Sequence, residues 1–186
     1  MAHALQSGEA DLALGLIPTL DSGFYQQALF DQGWVCLCNA GHPRIGAQFE
    51  LKHYLAEAHV GIVSGTGAQL LEAALQKLGQ QRQVQFALPG FLGLLGILST
   101  SDLVATLPRH IGETPALAAG LRVLPCPVAI EDFTVKQHWH TRYHQERASR
   151  WLRGGGAETL SAQQPLNHRA LTIYLPQRHF LFRKIP

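Results

Sequence analysis

Few side chains in this sequence are spaced for chemistry. The run Ser64-Gly65-Thr66-Gly67 has two readings. A glycine-rich turn ahead of a helix offers free backbone N–H groups and a positive dipole end, which is a seat for an anion. Ser64 or Thr66 could equally act as a plain helix N-cap. No Gly-Lys-Ser/Thr follows, so the run is not a P-loop, and no third glycine stands at dinucleotide spacing. Ile62 occupies the position where a nucleophile elbow needs glycine.

The remaining reactive residues read as structural. His138, His140 and His144 have no Cys, Asp or Glu at a zinc spacing beside them, so packing and hydrogen bonding are expected there rather than a metal site. Cys36 and Cys38 lie two apart on an extended run and Cys126 stands alone. All three read as inert thiols. Asp11 and Asp102 each precede an apolar run and read as turn or capping residues. The residues form no catalytic constellation and imply no cofactor.

These residues are carried by alternating strands and short helices. Strands are expected at 11–16, 24–30, 34–38, 59–63, 84–88, 103–107, 121–124 and 133–140. Helices are expected at 48–55, 68–78, 91–98 and 143–152. The first residues, Ala4 to Gly8, read as a helix end closed by glycine. Strands separated by helices predict an α/β fold with largely parallel pairing. Gly154-Gly155-Gly156 reads as a joint leading to a loosely held, unrelated flexible tail, 154–186, in which 170–175 and 179–182 could be strands without an obvious partner.

Composition bounds the function. The chain has 186 residues, 15% charged and 46% hydrophobic, which argues against charge-driven disorder. Residues 1–153 carry 11 basic and 12 acidic side chains, and the net charge of +2 comes from the tail. The body therefore has no electrostatic footprint for nucleic acid. No signal peptide or membrane span is legible, and a cytoplasmic location is expected.

An ordered set of motifs resembles one family. Leu5-Gln6-Ser7-Gly8-Glu9-Ala10-Asp11-Leu12-Ala13 is similar to the L-x-x-G-E-x-D-L-A segment of LysR-type transcriptional regulators. Leu29-Phe30, Val35 and His42-Pro43 continue the match. So do Ser64 to Gly67, Pro89-Gly90-Phe91, Thr100 to Pro108, Trp139 to His144 and Arg150 to Arg153. Gly23 to Gln27 and Arg150 to Arg153 are similar to the branch containing nodulation and aromatic-degradation regulators.

The resemblance implies an effector-binding domain with the type 2 periplasmic-binding-protein-like two-lobe fold. Residues 1–40 and 128–153 would form the remnant of an incomplete first lobe, and 41–127 the second. A small inducer, an aromatic or other organic acid, would bind in the cleft between lobes and shift a DNA-bound homo-oligomer toward activation. The family places pocket or hinge elements at Gly15 to Pro18, at Ser64, Gly65, Thr66 and Gly67, at Phe91, and at Leu107 and Pro108. Thr66 and Gly67 would seat a carboxylate and Phe91 would pack its body. The crossovers near 38–43 and 125–128 would be the hinge strands.

The family's winged helix-turn-helix and the opening elements of its first lobe have no counterpart in the sequence, so DNA contact is expected only through a missing segment. Two alternatives are a free-standing solute-binding protein, weakened by the missing signal peptide, and a small α/β enzyme, weakened by the missing catalytic set.

Overall fold

The computed structural model describes residues 1–17, 20, 22–63, 66–114, 120–161 and 180–182, with 66, 158–161 and 180–182 described by backbone alone. The predicted strand at 170–175, and Pro18, Ser64 and Gly65 among the expected site residues, lie outside the described residues.

In chain order the elements are α1 (Ala2–Ser7), β1 (Leu12–Gly15), β2 (Phe24–Gln32), β3 (Trp34–Asn39), α2 (Leu51–Ala56), β4 (Ala58–Ile62) and α3 (Thr66–Lys77). Then come β5 (Gln83–Leu88), α4 (Leu94–Ser99), β6 (Val104–Pro108), α5 (Arg109–Gly112), β7 (Leu121–Pro125) and β8 (Phe133–His140). A 3-10 turn (Thr141–Tyr143), α6 (Arg147–Ser161) and β9 (Phe180–Phe182) complete the set. The chain divides into two units, Met1–Asp31 with Phe133–Pro186, and Gln32–Asp132.

The first unit is built on a sheet of order β2-β8-β1-β9. Its β1 is antiparallel to β8, with Ala13 opposite His138, and to β9, with Ala13 opposite Leu181. Side chains alternate across a strand, so Leu12 and Leu14 pack with Leu29 and Trp139, while Ala13 joins Leu5 and Ala10 in a second cluster. Burial on both faces explains why this run is continuously apolar. The expected partnerless strand near 179–182 has a partner in β1.

The predicted helix end at Arg153 is not observed, because α6 continues through all three glycines to Ser161. Glycine costs about 1 kcal/mol per helical position relative to alanine, and packing along one stripe offsets it. Ser149, Arg153 and Gly156 are buried at helical spacing, Leu152 and Ala157 pack on the Leu12 cluster, and a Cβ on Gly156 would stand 3.4 Å from Gln137 Oε1.

The second unit has a sheet of order β5-β4-β6-β3-β7. Strand β4 is parallel to β5 and β6, whereas β3 runs antiparallel to both β6 and β7. The expectation of largely parallel pairing therefore holds only around β4. There, α3 and α4 supply the crossovers that parallel neighbours require. Strand β3 comes from an earlier segment and lies between two strands that both run against it. These ladders also draw Trp34–Asn39 into this unit, so the chain passes between units at 31/32 and 132/133 rather than near 40 and 127.

Each sheet face has its own core. Cys36, Cys38, Tyr54, Leu71, Leu75 and Val104 fill one face, beneath α2 and α3. Leu37, Val60, Leu94, Leu98, Ala105 and Leu107 fill the other, beneath α4.

Candidate functional site

One end of the second unit's sheet gathers most of the expected site residues. Because β4, β5 and β6 are parallel, their C-terminal ends lie together, and β3, which runs the other way, brings its first residue to the same end. The register makes this concrete. Ile62 pairs with Leu88. Val60 pairs with Ala105, so Ile62 stands level with Leu107, which in turn faces Val35. One row further along are Val63, Pro108 and Trp34, with Pro108 directly opposite Trp34. Val63 N–H donates to Leu88 O at 2.9 Å, holding the exit of β4 against the turn that carries Phe91.

In open α/β sheets this is the end at which loops present ligands with backbone N–H groups and helix N-termini. The α3 helix begins there, at Thr66, and its 12 residues give it an N-terminus whose first amides have no partner within the helix. Gly67, the second residue of α3, lies under the indole of Trp34, where a Cβ would come within 3.1 Å of the ring. The indole is held by its own Nε1–H, which donates to Glu131 O at 3.2 Å. Phe91 is half-buried against the cluster under α4, and its carbonyl accepts from Leu94 N–H at 3.2 Å.

Not every expected residue presents a side chain. Leu107 is fully buried in the core, so it supports the wall from behind. Pro108 is partly buried at the end of β6 and leads directly into α5. Gly15 closes β1 in the first unit, where it pairs with Lys136. Two residues that sequence reasoning passed over stand at the same sheet end, Trp34, buried against α3, and Val63, 66% exposed; Leu92, in the Phe91–Leu95 stretch that reads as core, is instead 97% exposed. Only Trp34 left a signal, as a bulky aromatic at the head of an apolar strand.

The other candidates have structural occupations. His140 Nδ1 accepts from Arg142 N–H at 3.2 Å, and His144 Nδ1 accepts from the Trp139 indole N–H at 3.2 Å. His138 is buried on β8. Among the described residues no cluster of three or more His, Cys, Asp or Glu is arranged to hold a metal ion. Asp102 pairs with Arg44 at 3.3 Å, and its carbonyl lies 3.0 Å from His42 Nε2. Since His42 Nδ1 accepts the N–H groups of Arg44 and Ile45, its Nε2 is the protonated nitrogen and donates to that carbonyl.

Two groups with shifted protonation sit deeper. Burial lowers His59 to about 4, against an ordinary 6.5, and pushes the Tyr54 phenol well up. Tyr54 Oη lies 2.9 Å from Thr106 Oγ1, and His59 Nε2 donates to Tyr54 O at 2.8 Å.

Among the described residues, no helix is long and apolar enough to cross a membrane. The family model described as the LysR substrate binding domain matches residues 1–157. The chain is 34% identical over 154 residues to the HTH-type transcriptional activator NahR of Pseudomonas putida, a match covering 82% of this chain and 51% of that protein. It spans about half the length of the curated relatives it matches. Among solved structures, the probable transcriptional regulator PA0477 of Pseudomonas aeruginosa superposes with a TM-score of 0.72 at 28% identity, over 90% of this chain and 54% of that one. The regulatory domain of MexT, a transcriptional activator in the same organism, superposes equally well, at 24% identity over 85% and 78% of the two chains. The two-unit α/β architecture is thus that of LysR regulatory domains, which belong to a family of transcription regulators and not of enzymes. The chain belongs to the LysR substrate binding domain family.

Proposed function

We propose that this chain senses a small organic acid, with an aromatic acid as the preferred inducer, on behalf of a LysR-type transcriptional regulator. One observation carries the proposal: Thr66 and Gly67 at the start of α3, the turn that leads from β5 to Phe91, and Pro108 stand at one end of the second unit's sheet. In this reading the amides of Thr66 and Gly67 seat the carboxylate. Phe91 and the exposed Val63 and Leu92 meet the apolar body, and Trp34 fixes the position of the seat. DNA would be contacted by the part of the regulator's length that this chain does not span, and the inducer would act by binding one conformation of the regulator better than another.

Homo-oligomers would form through this domain. Supporting that, β5 is an edge strand, exposed almost throughout, with Val84 44% and Phe86 51% accessible. Light scattering across a concentration series tests it, and a strictly monomeric chain would refute it.

A thermal-shift comparison of benzoate with cyclohexanecarboxylate tests the inducer. Both present a carboxylate on a six-membered ring, and only one ring is aromatic. A ligand that binds the native state alone raises its stability in proportion to the logarithm of one plus the ratio of ligand concentration to Kd. Benzoate is expected to stabilise the chain more. Thr66→Pro removes one seat amide at a helix position that tolerates proline, and Phe91→Ala removes the ring, so each is expected to reduce the shift. An unchanged shift in both variants would overturn the site. Equal shifts from the two acids would overturn the aromatic preference alone.

A further inference from the structure

Cys126 is isolated in sequence but not in the fold. Cys36 on β3 faces Leu124 on β7, and Cys126 follows two residues later, on the same side and just beyond the ladder's last residue, Pro125. There the chain is no longer tied to the ladder, and Cys126 packs against the cluster that contains Cys36. Each thiol is the neighbour that most strongly shifts the other's protonation. Cys36 is fully buried and Cys126 partly exposed. Cys36 Sγ also lies 3.6 Å from Thr106 Oγ1, whose other neighbour is the Tyr54 hydroxyl.

The surroundings divide the pair into two roles. The Cys36 thiol beside it, more than any other neighbour, holds the Cys126 thiol down against the opposing effect of burial, with the Arg82 charge adding to it. Arg82 itself is buried and bound to Glu72 at 2.7 Å. Cys36 is pushed well up by the Cys126 thiol and by burial. A partly exposed thiol of lowered pKa beside a buried partner is the arrangement of an attacking and a resolving cysteine. Cys38 has no such relation to Cys36. Two residues apart on one regular strand, their side chains are held parallel and cannot turn toward one another.

We propose that Cys126 and Cys36 form a reversible disulfide driven by a hydroperoxide. The Cys126 thiolate attacks the terminal oxygen of R–O–O–H. The O–O bond breaks, R–O⁻ takes up a proton and leaves as the alcohol, and Cys126 becomes a sulfenic acid. Cys36 then loses its proton, and its sulfur attacks the Cys126 sulfur. The S–O bond breaks and the hydroxide leaves as water with that proton. The two thiols are oxidised by two electrons in total and the peroxide is reduced by two. This inference is independent of which inducer the domain binds.

The test uses the full chain, reduced, freed of reductant and treated with hydrogen peroxide, then denatured and alkylated. The alkylatable thiols are expected to fall from the three present to one. Peptide mapping should join Cys36 to Cys126, and dithiothreitol should restore all three. With Cys36→Ser, dimedone is expected to label Cys126. With Cys126→Ser, both remaining thiols should stay alkylatable. Three free thiols after treatment of the folded wild-type chain, or a bridge that includes Cys38, would overturn the assignment. The wild-type map decides the matter even if a serine variant fails to fold.

Discussion

The Trp34 ring lies so close to Gly67 that a Cβ there would stand 3.1 Å from it. Strand β3 thereby fixes the start of α3, because the ring cannot retreat without breaking its bond to Glu131 O. Gly67→Ala should gain a fraction of the helix-propensity difference of about 1 kcal/mol and lose about 1–3 kcal/mol to overpacking. Net destabilisation is expected, read as a lower urea midpoint. Adding Trp34→Phe should recover part of the loss, since contacting residues do not behave additively. Strict additivity of the two variants would disprove the contact.

Tyr54 is fully buried, and its hydroxyl is bonded to the Thr106 hydroxyl. Tyr54→Phe removes one partner of a buried pair, and about 1–2 kcal/mol of stability should be lost. Thr106→Val alone should cost a similar amount, and the double variant less than the sum of the two. Chemical denaturation of the four proteins completes this cycle.

His59 makes stability fall in acid. Its folded value of about 4 lies below the ordinary 6.5, so the unfolded chain takes up the proton first. The contribution is whole above about pH 6.5 and is lost as pH falls from there toward 4, by about 3 kcal/mol in all. His59→Phe keeps a ring against Tyr54, whose own ring is 4.3 Å away, and removes the titration. Its stability should depend less on pH over that window. An unchanged slope would refute the assignment.

Arg153 ties α6 to its unit. Its guanidinium lies 4.5 Å above the Trp139 ring and donates to Ser149 Oγ at 2.8 Å and to His144 O at 2.8 Å. Arg153→Lys keeps the charge but loses the planar fork, and a loss of about 1–3 kcal/mol is expected. Hydrogen exchange should show α6 protection falling before that of β4. Uniform loss of protection across both elements would contradict this local role.

Much of this was legible in the residues. The glycine at the end of α1, with its left-handed φ of 80°, the apolar run at β1 and the helical spacing in α3 are local patterns, set by backbone sterics and side-chain burial within a few residues. The ordered motifs from Leu5 to Arg153 identified the family for the same reason, since each is short and contiguous.

Contacts between distant segments were not legible. The helical state of Gly154 to Gly156 depends on the burial of Gly156 against Gln137 and Leu12 and of its helix neighbours on the same stripe, which outweighs the local preference of glycine. The antiparallel placement of β3, the approach of Trp34 to Gly67 and the meeting of Cys36 with Cys126 all follow from strand order. Strand order is set by which apolar faces can be buried together across the whole unit. The sequence alone therefore determined the elements and the family, and the tertiary structure decided which residues stand side by side.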